Sequence, residues 1–184
     1  MKNIITIFFL SLISVQLMAQ DDDRGMGGFK RENLFVGGNF GFSFGSNVTH
    51  LNLSPQIGYR VSRFFAAGAG VNGIYTSFKR GGYKENYGVA GLNVFGRVFP
   101  IENIILQLQP EMNYTWGTLK YDDSRADVKL DGKVVPSLIG GVGAVLPTGG
   151  RGGFMIMLQY DILQNARSPY SNRPFVNIGY VVGL

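Results

Sequence analysis

Two stretches of this chain alternate apolar and polar residues so regularly that they leave little choice of fold. Leu51, Leu53, Pro55, Ile57, Tyr59 and Val61 alternate with Asn52, Ser54, Gln56, Gly58 and Arg60. Ile104, Leu106, Leu108, Pro110, Met112, Tyr114 and Trp116 alternate with Gln107, Gln109, Glu111, Asn113 and Thr115 in the same way. A period of two places successive side chains on opposite sides of an extended backbone, so each stretch is a strand with one apolar and one polar face. A chain rich in Gly, Phe and Tyr agrees with strands rather than helices.

Six more segments of this kind bring the expected strands to eight: 34–45, 51–61, 64–75, 87–99, 104–116, 134–146, 153–163 and 175–184. Each is near the roughly 9–11 residues that a tilted strand needs to cross a bilayer. The connections alternate in length. Val61 to Phe64, Pro100 to Asn103 and Pro147 to Gly152 are tight, whereas Thr76 to Asn86, Gly117 to Lys133 and Gln164 to Pro174 are long. The pattern predicts an all-β fold, an eight-stranded antiparallel transmembrane β-barrel with short periplasmic turns and longer extracellular loops. An even strand count puts both termini on the periplasmic side.

Alternation alone does not say which face points inward, and a secreted lipocalin-like barrel would enclose the apolar set around a ligand. Three features favour the membrane. Arg60, Arg97, Glu111 and Asp161 fall in the polar set, where a hydrated interior suits them better than lipid. Tyr59 and Phe65 near one set of strand ends, and Phe44, Tyr75 and Trp116 near the other, have the placement of interfacial girdles. The last strand also runs to the C-terminus.

Residues 1–19 have the form of a cleaved secretory signal, with Lys2, an apolar run from Ile4 to Leu17, and Leu17-Met18-Ala19 before Gln20. Residues 20–33 are expected to be a flexible periplasmic tail, and 34–184 the barrel. An exported chain with no cysteine has neither disulfides nor thiolate metal sites to lean on, so no metal or other cofactor is expected. The net charge of +5 is not gathered into a stripe, which argues against nucleic acid.

The chain resembles the small outer-membrane β-barrel family, the OmpA/OmpX-like eight-stranded barrels of Gram-negative bacteria. The resemblance rests on the strand pattern and on Asn177-Ile178-Gly179-Tyr180-Val181-Val182-Gly183-Leu184. This segment looks like the signal by which the insertion machinery recognises such barrels, with Asn177, Gly179, Val182 and Leu184 at the matching positions. Leu184 stands where a terminal Phe is usual. The resemblance implies outer-membrane lipids and lipopolysaccharide as surroundings, the barrel-assembly machinery as a partner during insertion, and a structural or interaction role, alone or as an accessory subunit of a larger outer-membrane complex.

An interior at this strand number is largely filled by side chains, which disfavours a wide pore. The expected lumen set is Arg60, Arg97, Gln107, Gln109, Glu111, Asn113, Gln159 and Asp161, joined by Asn39, Ser43, Asn52, Gln56, Asn72, Asn93 and Asn177. Arg60 and Arg97 lie roughly 10 Å lower than Glu111 and Asp161 at ordinary strand rise and tilt. Amides or water are therefore expected to mediate between them, and a narrow ion or solute path is the alternative function. A lipid-modifying enzyme at the outer rim is a further one. His50, expected on the first outer loop beside Ser46 and Thr49, has no orienting carboxylate in sight, so no enzyme is expected.

Lys79, Arg80 and Lys84 are the loop candidates for contact with lipopolysaccharide phosphates or an acidic partner. Pro55, Pro110 and Pro136 fall inside strands and predict bulges or displaced strand ends. Asp131-Gly132 is a two-residue hairpin signal that would send a strand pair above the membrane, with an edge open to strand addition. The glycine runs 140–143 and 149–153 open no helix and lack a following Lys-Ser or Lys-Thr, so they are no phosphate loop.

Overall fold

The computed structural model describes residues 30–123, 125–170 and 173–183. The expected signal sequence, most of the expected tail and Leu184 lie outside them. A single turn of 3-10 helix at Arg31–Asn33 leads into eight strands. These are β1 (Leu34–Phe44), β2 (Val48–Ser62), β3 (Phe65–Arg80), β4 (Tyr83–Ile101), β5 (Ile104–Tyr121), β6 (Val128–Pro147), β7 (Gly152–Asp161) and β8 (Phe175–Val182). Each strand pairs antiparallel with its sequence neighbour, and β1 pairs with β8 to close the barrel.

The alternation has one sense all round the barrel. Along β5, Ile105, Gln107, Gln109, Glu111, Asn113 and Thr115 are buried, while Leu106, Leu108, Met112, Tyr114 and Trp116 are exposed. Phe40, Leu53, Ile57, Val71, Leu92, Ile156 and Val176 continue the apolar outer face on the other strands. This is the inverse of a soluble ligand-binding barrel, whose apolar set lies inside. Aromatic rings mark both borders. At the terminal end Phe154 meets Tyr180 edge-on at 5.1 Å, and at the far end Phe42 and Phe44 lie 6.1 Å apart and Tyr114 and Trp116 5.8 Å apart.

The strands differ from the sequence expectation mainly at the far end. The segment 76–86 is not a long loop: β3 and β4 continue, paired rung by rung, to a two-residue turn at Gly81 and Gly82. Gly82 has φ +93°, which a side chain resists. Most of 117–133 is strand as well, leaving 122–127 as the connection. Hydrogen bonding thus carries β3–β6 past the apolar belt into a projecting sheet. Among the described residues, the long connection that remains is the one between β7 and β8.

Asp131 and Gly132 are not a hairpin turn but lie within β6, where the register with β5 shifts between Thr115 and Gly117. Two residues there face Trp116, a bulge that re-aims the strand. A Cβ at Gly132 would lie 1.7 Å from the Tyr114 hydroxyl, so any larger residue there would displace that ring. The prolines produce no bulge. At Pro55 and Pro110 the ladder opens opposite Val71 and Val94 and resumes in the same register. Pro136 pairs with Met112 on β5, and its other side faces no β7 residue because β6–β7 pairing begins at Ile139. A missing N–H donor is accommodated by a gap or a free edge, without a shift of register.

Candidate functional site

The lumen is filled in three layers. At the terminal end Phe35, Ala66, Phe95, Phe99, Ile105, Met155, Met157 and Val181 form one buried apolar cluster, with Val145 packed against it. Arg97, 1% exposed, rises from this floor with its guanidinium 4.2 Å from the Phe95 ring centre and 5.8 Å from that of Phe35. Aromatic faces thus stabilise a cation that meets no carboxylate.

Above the floor lies a layer of amides. Arg97 Nε donates to Gln107 Oε1 at 2.7 Å, and Arg97 Nη2 donates to Gln56 Oε1 at 2.7 Å. Gln107 Nε2 (2.7 Å) and Gln56 Nε2 (3.3 Å) both donate to Gln109 Oε1. Gln109 Nε2 donates to Glu111 Oε1 at 2.6 Å, and Asn113 Nδ2 to Glu111 Oε2 at 2.8 Å. Asn93 Nδ2 to Asn72 Oδ1 (2.7 Å) and Asn72 Nδ2 to Asn113 Oδ1 (3.1 Å) extend the chain across β3 and β4. Strand pairing brings these side chains together, because Gln107 stands opposite Arg97 and Asn113 opposite Gly91 in the β4–β5 register.

The third layer is the connection between β7 and β8, which folds inward over the far mouth. Tyr170 stacks on Phe175 with ring centres 4.7 Å apart and donates from its hydroxyl to Glu111 Oε2 at 2.7 Å. Ser168 Oγ donates to Asp161 Oδ2 at 2.6 Å, and the backbone N–H groups of Leu138 and Leu163 donate to Asp161 Oδ1. Two buried carboxylates therefore hold this segment in place. A polar cavity of about 10 Å³, bordered by Asn39, Asn52, Glu111, Gln159, Tyr170 and Asn177 among others, has room for about one water molecule. Asn39 Oδ1, Asn93 Oδ1 and Ser137 Oγ are buried without a hydrogen-bond partner.

The expected lumen residues fall in different places. Arg97, Gln107, Gln109, Glu111 and Asn113 form the continuous network, Gln159 accepts from Asn177 Nδ2 at 2.9 Å, and Asp161 anchors the inward segment. Arg60 is not joined to them. It sits at the terminal mouth, its guanidinium 4.7 Å from the Phe99 ring centre and its Nη2 donating to the Arg63 carbonyl.

Among the rim candidates, Lys79, Arg80 and Lys84 are exposed but lie on paired strands, not on a loop. Lys79 stands opposite Lys84, and Lys84 opposite Lys120, so a row of three ammonium groups crosses the projecting sheet. Like charges directly opposite one another weaken a sheet. Sequence reasoning missed Lys120 because only the register aligns it with the others. The Gly81-Gly82 pair, a recognised hairpin signal, could have supplied half of that register.

His50 also lies in a strand, opposite Ser43 and Thr76, with Nδ1 2.9 Å from Thr76 Oγ1. Of the assembly-signal positions, Asn177 and Gly179 face the lumen side and Val182 is exposed. Among the described residues no group of three or more His, Cys, Asp or Glu is placed to hold a metal ion.

No family model matches the sequence, and no curated protein matches it. Among solved structures the chain is similar to the translocator domain of the autotransporter NalP from Neisseria meningitidis, at 10% identity over 96% of each chain and a TM-score of 0.39.

Proposed function

We propose that this chain is an integral outer-membrane β-barrel of the OmpA/OmpX-like kind, closed to solutes, with periplasmic termini and a structural or interaction role. The observation that carries the reading is the exposed apolar belt around a polar, hydrogen-bonded interior. From Leu106 to Trp116 this belt has a height of roughly 23 Å at ordinary strand rise and tilt, close to the roughly 25 Å apolar band of outer-membrane barrels. Burying such a surface in water-soluble form would need another partner for every strand.

The projecting β3–β6 sheet is the contact surface in this reading. Its lysine row lies four rungs beyond Tyr75 and Trp116, where lipopolysaccharide phosphates would meet it. The β6 edge from Val128 to Pro136 faces no β7 residue, which supports strand addition by a partner subunit. Arg167 Nη1 already caps one of its carbonyls, that of Asp131, at 3.2 Å.

Conductance is disfavoured by the apolar floor and by the inward segment, each of which would have to move for an ion to pass. Catalysis is disfavoured at His50, whose near neighbour is a threonine hydroxyl without a carboxylate behind it. The first experiment is flotation of the refolded chain with phospholipid vesicles, followed by electrophoresis with and without boiling. Co-flotation and a boiling-dependent mobility shift are expected. A chain left at the bottom of the gradient, with one mobility, overturns the reading.

A further inference from the structure

Two places in the molecule hold an unused feature: the small polar cavity under Tyr170 and a groove on the apolar outer face. The groove carries the most. It runs up the junction of β3, β4 and β5 from Phe65 and Val98 to Val94 and Pro110, with a volume of about 670 Å³. A second groove of about 470 Å³ shares Val94 and Pro110 and continues toward Pro136. The floor follows from the ladder gap at Pro110 and from two outward positions with little or no side chain, Ala67 and Gly96, which pair across β3 and β4.

Gly96 is the telling residue. A Cβ there would meet only the Phe65 ring, at 3.7 Å, which is ordinary contact. Backbone packing does not require glycine at this position, whereas at Gly68 on the inner face a Cβ would lie 2.3 Å from the Ile57 carbonyl oxygen. An empty outward position that the protein's own packing would allow to be filled is a place for something outside the protein.

We infer that the groove holds one acyl chain of an anionic phospholipid, with the lipid phosphate on Arg63. From Leu106 to Met112 the groove climbs six residues, about 14 Å at ordinary strand rise and tilt, which is half of the roughly 30 Å hydrocarbon thickness. A chain from one leaflet fills that height. The end of the groove is cationic: Arg63 sits on the turn before Phe65, its guanidinium 4.5 Å from the exposed Phe64 ring centre. Among the described residues the ion pair formed is Arg125 with Asp123, so Arg63 keeps its charge for an outside anion; the acid on the neighbouring turn, Glu102 between β4 and β5, makes no ion pair with it. An arginine over an aromatic ring at the border of the apolar belt suits a phosphodiester headgroup.

This inference rests on the membrane reading, and its test separates the two. The wild type, Gly96→Phe and Arg63→Ser are reconstituted in phosphatidylcholine vesicles containing phosphatidylglycerol as the minor lipid. Flotation is scored first, and lipids retained after mild detergent extraction are then counted by native mass spectrometry. Wild type is expected to keep one phosphatidylglycerol in preference to phosphatidylcholine. Gly96→Phe should float equally well yet lose retention of either lipid by about tenfold, as a blocked apolar site would. Arg63→Ser should keep a lipid but lose the preference for phosphatidylglycerol. Equal retention by wild type and Gly96→Phe overturns the inference alone, as does an absence of headgroup preference in the wild type. A wild-type chain that fails to float overturns the inference and the membrane reading together.

Discussion

Arg97 and Glu111 carry opposite charges inside the same barrel and never touch; Gln107 and Gln109 stand between them, each accepting from below and donating upward at 2.6–2.7 Å. The amides act as aligned dipoles that carry the attraction over the separation in height, and each buried polar group gains a partner in the process. A direct ion pair would have left the glutamines to be satisfied some other way.

Glu111 is the acceptor on which this arrangement converges, taking hydrogen bonds from Gln109, Asn113 and Tyr170. Glu111→Gln keeps the shape but replaces one acceptor oxygen by a donor, so at least one of the three loses its partner. The expected cost is about 1–3 kcal/mol, read as a lower denaturant midpoint for unfolding from detergent micelles. An unchanged midpoint would mean that the layer is not satisfied through this carboxylate.

Tyr170→Phe removes only the hydroxyl and leaves the stack on Phe175. The expected loss is about 1 kcal/mol, concentrated in the segment over the mouth. Faster trypsin cleavage after Arg167, with the barrel itself intact on the gel, is the outcome that checks it. Cleavage at the wild-type rate would show that Ser168 and the ring stack hold the segment unaided.

On the connection between β5 and β6, Asp123 accepts from Arg125, whose guanidinium lies 2.8 Å away. The side-chain hydrogen bond from Arg125, with its backbone N–H adding to it, holds the Asp123 carboxyl below the ordinary carboxylate range. A depressed folded-state value means that the pair's contribution is present above the ordinary carboxylate value and is lost as pH falls through the lowered one. An NMR titration should place the Asp123 midpoint below that of a free aspartate, and Arg125→Ala should return it.

Two glycines on β4, Gly91 facing inward and Gly96 facing outward, should respond differently to alanine. At Gly91 a Cβ would lie 2.1 Å from Asn113 Oδ1 and 2.7 Å from the Met112 carbonyl oxygen, so Gly91→Ala must push the backbone or break the Asn72–Asn113 hydrogen bond. A loss of about 1–3 kcal/mol follows from overpacking of this kind. At Gly96 the added Cβ makes only ordinary contact with the Phe65 ring, at 3.7 Å, so Gly96→Ala should leave the unfolding free energy within about 0.5 kcal/mol of wild type.

The strand count, order and facing were legible because burial writes a period of two wherever one side of a strand faces outward with apolar side chains and the other packs against neighbours in the barrel interior. Leu106 to Trp116 shows it most clearly. The same signal stops where the environment becomes water on both sides, so Thr76 to Arg80 and Tyr83 to Asn86 carry no alternation although they are strand. Asp131-Gly132 misled for a related reason, since the residue pair that suits a tight turn also suits a bulge under Tyr114. The lumen layer was legible as composition, but its connections were not: Tyr170 lies 59 residues from Glu111, and nothing local to either reveals that Tyr170 turns inward to meet it. Arg60 shares its parity with the lumen set yet stops at the mouth, because depth along the strand, not facing alone, decides what a long side chain reaches.

Strands β1 and β8 meet over four rungs, Val36 to Asn39 against Gly179 to Val182, whereas β3 and β4 meet over sixteen. The shortest join therefore links the two strands farthest apart in the chain, where ring closure costs the most conformational freedom for the fewest hydrogen bonds returned. Every other pairing can form between neighbours before this one. The barrel is in effect a curled ribbon with a clasp, fastened last as it folds and the first place to part when it is pulled open. At that clasp Arg151 reaches the Glu32 and Gly183 carbonyls, tying the ribbon's two ends through a single guanidinium.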